Sequence, residues 1–147
     1  MNFNLYFSRT LYLNGNQLES ITETISQLTT LRSIDLSANP SLKLPVPDIA
    51  RLVYLTDLRL NKISLQQFPA VFCKNMLHLR LLSLSGNDLL NLPKEINRLQ
   101  RLEELHLQDN RLLEIQTGIC SLCNLKVRLS NIKQACWPQE MVLFIAY

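Results

Sequence analysis

The sequence predicts an α/β solenoid, with a parallel sheet of short strands on its concave face and short helical or irregular segments on its convex face. Three observations carry this. A leucine-based frame recurs with starts near 8, 31, 55, 79, 102 and 125, a spacing of 23 or 24 residues, and self-similarity at such a period is the mark of stacked repeats. The first half of each frame alternates apolar and polar residues. The second half changes to the wider apolar spacing of a helical turn.

The strands come first. Leu31-x-x-Ile34-x-Leu36-x-x-Asn39 recurs as Leu79-x-x-Leu82-x-Leu84-x-x-Asn87-x-Leu89 and as Leu102-x-x-Leu105-x-Leu107-x-x-Asn110-x-Leu112. A variant, Leu55-x-x-Leu58-x-Leu60-x-x-Ile63-x-Leu65, lies between, and Leu11-x-Leu13-x-x-Asn16-x-Leu18 fits the same frame from Ser8. Successive side chains of a strand point to opposite faces. The pairs Ile34/Leu36, Leu58/Leu60, Leu82/Leu84 and Leu105/Leu107 therefore share one face, the solenoid interior. A bundle of leucine-rich helices would place apolar residues at i, i+3, i+4 and i+7 instead.

The convex segments follow. Leu92-Pro93-x-x-Ile96-x-x-Leu99-x-x-Leu102 has helix-like spacing after a proline, and proline suits the first helical position, where no N–H is needed. Phe68-Pro69-x-x-Phe72 and Ile115-x-x-x-Ile119-x-x-Leu122 are related. Two frames depart from the pattern. Asn39-Pro40-Ser41-Leu42 holds one residue more than Asn-x-Leu, so the stretch Pro40–Pro47 is expected to bulge. Leu125-Lys126-Val127-Arg128-Leu129-Ser130-Asn131 fits only with one residue deleted before Val127 and another before Asn131.

The pattern resembles the leucine-rich-repeat family from residue 8 to about 131, and its Leu-Pro-x-x-Ile form is similar to the intracellular Ras-associated and Scribble-like group. The resemblance implies a right-handed, horseshoe-shaped solenoid. It also implies that the strand-closing Asn16, Asn39, Asn87 and Asn110 turn inward, where their amides satisfy backbone groups at the bend. Ile63 breaks this ladder, at an expected cost of about 1 kcal/mol unless water or repacking compensates. The expected organisation is one repeat domain over 1–131. Residues 132–147, with Trp137-Pro138 and Met141–Ile145, are either a cap over the open end or a divergent tail, since an end repeat has no neighbour to cover it.

Composition narrows the function. The chain has 147 residues, 47% of them hydrophobic, and a net charge of +3 from 15 Lys/Arg and 12 Asp/Glu. That is enough apolar content for one well-filled domain. The cations are interspersed with acids, without the basic stripe expected of a nucleic-acid binder. No apolar run reaches the roughly 18–20 residues of a membrane span. The start, Met1 to Arg9, does not read as a signal peptide, and Asn39-Pro40-Ser41 is excluded as a glycosylation acceptor by its proline. Cys120-Ser121-Leu122-Cys123 has CxxC spacing, but no second close pair of Cys or His completes a zinc set,. With Cys73 and Cys136 these read as thiols of a reducing compartment, so a cytoplasmic location is expected. No metal, cofactor or catalytic residue is expected either. Gly15, Gly86 and Gly118 begin no phosphate-cradling loop,, and an open sheet lacks the enclosed pocket that catalysis usually needs.

The outward strand positions define the candidate site. The central row is Tyr12, Asp35, Arg59, Ser83 and His106. Two residues earlier stand Thr10, Ser33, Asp57, Leu81 and Glu104, and two later Asn14, Ser37, Asn61, Ser85 and Gln108. Tyr and Arg are over-represented in binding hot spots. The residues selected are Tyr12, Arg59 and His106, with Asp35, Asp57 and Glu104 for charge selectivity and Leu81 as an apolar point. Asp35 and Arg59 could instead pair with each other, an exposed interaction worth about 0–1 kcal/mol. The expected function is a protein-binding module or signalling scaffold, monomeric or part of a larger assembly. The alternatives are a fragment of an extracellular receptor or adhesion protein, and the regulatory segment of a larger enzyme.

Overall fold

The structure, a computed structural model, describes residues 8–128. The expectations for residues 132–147 and for Asn131 lie outside that range. Six three-residue strands form one parallel sheet in chain order: β1 (Thr10–Tyr12), β2 (Ser33–Asp35), β3 (Asp57–Arg59), β4 (Leu81–Ser83), β5 (Glu104–His106) and β6 (Lys126–Arg128). The register follows the frame. Leu11, Ile34, Leu58, Leu82, Leu105 and Val127 are successive partners, which places one of the sixth frame's missing residues before Val127.

Between the strands lie two short α-helices, α1 (Val46–Ile49) and α2 (Ala70–Asn75), and 3-10 turns at Glu23–Gln27, Lys94–Arg98 and Thr117–Ser121. Pro69 and Pro93 stand one place earlier than expected, just before the helical segment rather than at its first position. Their φ of −67° with extended ψ ends the incoming loop, and the ring holds that φ at no further entropic cost. The expected bulge at Pro40–Pro47 is a turn closed by Leu42 N donating to Asn39 O at 3.0 Å, followed by the start of α1. Strands lie about 4.8 Å apart, whereas helices are about 10 Å across. Stacking the two side by side makes the sheet face the concave one.

The interior is a stack of aliphatic layers. Ile34, Leu58, Leu82 and Leu105 form one layer and Leu36, Leu60, Leu84 and Leu107 the next, all fully buried. Each such side chain contributes about 1.5–3 kcal/mol relative to exposure. Phe68 and Phe72 pack tilted at 5.6 Å beneath α2.

Asn39, Asn87 and Asn110 turn inward as expected, and each reaches into the preceding repeat; Asn16, expected to do the same, does not turn inward. Asn39 Nδ2 donates to Leu13 O and Leu36 O, and its Oδ1 accepts from Leu18 N. Asn110 does the same with Leu84 O, Leu107 O and Leu89 N. Asn87 Nδ2 donates to Leu60 O at 2.7 Å and Leu84 O at 2.8 Å, while its Oδ1 accepts from both Ile63 N and Leu65 N. Asn16 is exposed and donates to its own repeat at Leu13 O and Asn14 O. Ile63 is buried at 3% exposure and joins the apolar core. The donor it would have served, Leu42 N, is already taken by Asn39 O. The extra residue of the second frame and the missing asparagine of the third compensate each other.

The residue before each of these positions has a left-handed backbone: Gly15, Ala38, Lys62, Gly86 and Asp109, with φ between 52° and 68°. A Cβ on Gly86 would stand 2.8 Å from Lys62 Cγ, so glycine there answers both φ and space.

Cys73 is fully buried on α2. Burial, and secondarily the Glu95 carboxylate, push its thiol up from 9.0 to about 12. Because the folded value lies above the unfolded one, this group's stabilisation is complete below pH 9.0 and is lost between 9.0 and about 12,. We expect Cys73→Ala to flatten the decline of the urea midpoint over that window relative to wild type. Identical slopes would show that the thiol titrates freely.

Candidate functional site

The sheet register brings the selected residues into true rows. Tyr12, Asp35, Arg59, Ser83 and His106 are consecutive strand partners, as are Thr10, Ser33, Asp57, Leu81 and Glu104. Tyr12 stands 68% exposed at the β1 side. Leu81 is half-buried between Asp57 and Glu104.

The charges pair along strands rather than across them. Arg59 does not take up Asp35. Its guanidinium lies 3.7 Å from Asp57 on its own strand and 3.5 Å from Ser33 Oγ. Asp35 instead accepts from Ser37 N at 2.9 Å, because its carboxylate is one turn of backbone from that donor. Asp57 also accepts from Thr56 Oγ1 at 2.7 Å. Glu104 lies 3.2 Å from His106 Nε2.

The third outward row holds a lattice that was not selected from the sequence. Ser37 Oγ accepts from Asn61 N at 3.1 Å and Asn61 Nδ2 at 3.2 Å. Asn61 Oδ1 in turn accepts from Ser83 Oγ at 2.7 Å and Ser85 N at 2.8 Å. Ser85 Oγ donates to Gln108 Oε1. The signal was present as a polar residue at the same frame position in each copy. What the pattern did not show is that these side chains are long enough to bond across the strand spacing.

Ser83, His106 and Glu104 line up in an order that resembles a hydrolase triad, with Ser83 Oγ 3.4 Å from His106 Nδ1. The chemistry does not follow. Ser83 spends its only proton on Asn61 and is 4% exposed, so His106 has no proton to remove and the oxygen has no line of attack. Among the described residues no three His, Cys, Asp or Glu side chains gather into a metal set, and no helix is long and apolar enough to cross a membrane. Cys73 is a buried free thiol and Cys123 an exposed one. A shallow pocket lined by Gln66, Gln67, Asp88, Leu90, Asn91 and Arg111 lies on the edge after the strands, away from the three rows.

Comparison with known proteins agrees with this architecture. The family model described as Leucine Rich Repeat matches residues 101–125. The chain is similar to leucine-rich repeat and IQ domain-containing protein 4 of Homo sapiens, at 37% identity over 103 residues. That match covers 70% of this chain and 18% of that protein, and the Mus musculus counterpart is matched over 16% of its length. The chain thus spans less than a fifth of these relatives. Among solved structures, a Leptospira interrogans LRR protein superimposes with a TM-score of 0.79 at 31% identity, covering 94% of this chain and 35% of that one. The plant peptide hormone receptor RGFR1 in complex with RGF2 gives a TM-score of 0.62 at 25% identity, covering 81% and 19%. Repeat frame, parallel ladder, asparagine column and relatives converge on one assignment: the chain is a leucine-rich-repeat protein.

Proposed function

We propose that the chain is a non-catalytic protein-binding module whose partner docks on the concave sheet face, through Tyr12, Asp35, Asp57, Arg59, Leu81, Glu104 and His106. The observation that carries this reading is the side-chain lattice. Arg59, Asn61, Ser83, Ser85 and Gln108 are already held by neighbours, so a partner meets a surface whose ordering entropy is largely spent before binding. Tyr12 and Leu81 supply apolar contact on either side of Asp35, Asp57 and Arg59. The likeness to RGFR1, solved with RGF2, supports the use of such a fold for binding. A cytoplasmic scaffold agrees with the free thiols of Cys73 and Cys123,. The reading as part of a receptor is favoured by that same likeness to RGFR1.

The test is a pull-down from cytosolic lysate with wild type and an Asp57→Ala/Arg59→Glu/Glu104→Ala variant, after circular dichroism shows that both fold alike. A partner captured by wild type and lost with the variant is expected. Equal capture by both would move the site off the concave face.

A further inference from the structure

The edge where the chain enters each strand carries a second surface. The residues just before β1 to β5 are Arg9, Arg32, Thr56, Arg80 and Glu103, and the backbone locks them into a row. Arg32 N donates to Arg9 O at 2.8 Å, Thr56 N to Arg32 O at 2.7 Å, Arg80 N to Thr56 O at 2.7 Å and Glu103 N to Arg80 O at 2.8 Å. Two residues further back, Tyr54, His78 and Arg101 form a parallel row. The Arg32 guanidinium lies 5.1 Å over the Tyr54 ring, that ring is 5.8 Å from His78, and Arg101 donates to His78 Nδ1 at 2.8 Å.

This edge is charged out of proportion to the molecule. Arg9, Arg32, Arg80 and Arg101 against Glu103 sum to +3, the net charge of the whole chain. The opposite edge is balanced, with Lys62 and Arg111 beside Asp88 and Asp109. Glu103 is engaged by Arg80. Arg32 is held by the carbonyls of Thr30 and Leu31 and by Tyr54, and Arg101 by His78. The Arg80–Glu103 pair cancels one charge of each sign, whereas the contacts of Arg32 and Arg101 leave theirs uncompensated. The nearest concave carboxylates, Asp57 and Glu104, are turned to Arg59 and His106. Beside the cations, Val53, Tyr54 and Leu77 are 38%, 51% and 44% exposed, an unusual grouping of apolar side chains on a charged rim.

We propose that this edge docks an acidic, apolar-containing peptide segment of a partner protein. Its carboxylates would meet Arg9, Arg32 and Arg101, Arg80 being already paired with Glu103, and an apolar side chain would cover Val53, Tyr54 and Leu77. Guanidinium groups suit carboxylates because their paired N–H groups match the two oxygens. A stacked nucleobase is disfavoured, since Arg32 already lies over the Tyr54 ring and Glu103 stands within the row,.

The probe is a fluorescein-labelled peptide of alternating Glu and Leu, compared by anisotropy with one of alternating Lys and Leu. Wild type is expected to bind the acidic peptide, and raising NaCl from about 50 to about 300 mM to weaken it. Arg32→Glu/Arg101→Glu should weaken it by about tenfold or more, with Arg32→Gln/Arg101→Gln as the milder variant if charge reversal alters the circular dichroism. Val53→Ser/Leu77→Ser should weaken it too, and Asp57→Ala/Arg59→Glu should not, which separates this edge from the concave face. Absence of binding, equal binding of the Lys peptide, or indifference to the rim variants overturns the proposal. So does tighter binding of an oligouridylate or of phosphatidylserine vesicles, which would assign the rim to nucleic acid or to membrane.

Discussion

Asn87→Ala is expected to destabilise the protein by about 3–5 kcal/mol, since each buried polar group stripped of its partner costs about 1–3 kcal/mol. One amide here serves four backbone groups in two repeats: Leu60 O, Leu84 O, Ile63 N and Leu65 N. Asn87 is 5% exposed, so water replaces those bonds only after the layer opens. Asn16→Ala is the control. Asn16 is exposed and bonds only carbonyls of its own repeat, and its loss should cost about 1 kcal/mol or less. Urea denaturation of both variants checks this. Equal midpoint shifts would mean that the inward amide does not clamp neighbouring repeats.

The second large effect runs against the repeat pattern. Ile63→Asn restores the residue found at this position in the other frames, yet it should destabilise by about 2–3 kcal/mol through lost apolar burial and an unsatisfied amide oxygen. Elsewhere that oxygen accepts from the leucine N–H of the preceding repeat, as Asn39 does from Leu18 and Asn110 from Leu89. In the second repeat, Leu42 N already donates to Asn39 O. Deleting Ser41 alone should also destabilise, by freeing Leu42 N opposite an isoleucine. The two changes together should recover at least about 1 kcal/mol relative to their sum. A double-mutant cycle measured by denaturation decides it. Strict additivity would show that the longer turn and Ile63 are unrelated departures.

Much of the fold was legible because its determinants are periodic. The strand rows and the inward leucines follow from a side-chain period of two and a repeat of 23 or 24 residues, and the inward turn of Asn39, Asn87 and Asn110 from the resemblance to the leucine-rich-repeat family. The turns at Glu23–Gln27 and Val46–Ile49 were not read, because Thr22 and the Leu44-Pro45-Val46-Pro47 stretch lack the Leu-Pro-x-x-Ile spacing seen around Pro93. Ile63 read as a defect because the pattern treats each frame separately, whereas the hydrogen bond in question belongs to two frames. The candidate site was legible as positions but not as partners. Frame position places Asp35 beside Arg59, while side-chain length and backbone geometry send one to Ser37 N and the other to Asp57. The basic edge escaped notice because its residues precede the strands, and because in linear sequence Arg9, Arg32, Arg80 and Arg101 are too far apart to read as a cluster.

The exchange of the third repeat's asparagine for Ile63 also bears on cooperativity. Inward amides bolt the first repeat to the second, the third to the fourth and the fourth to the fifth. Between the second and third, Ile63 supplies no inward amide, and the side-chain links are Thr56 Oγ1 to Arg32 O, Asn75 Nδ2 to Ala50 O, and Asn61 to Ser37 and Arg59 to Ser33 on the concave face. In a nearly one-dimensional stack, stability is approximately a sum of repeat and nearest-neighbour contributions, so a weaker interface is where the stack opens at least cost. Amide hydrogen exchange is therefore expected to show the first two repeats opening as a block before the leucine layers beyond them.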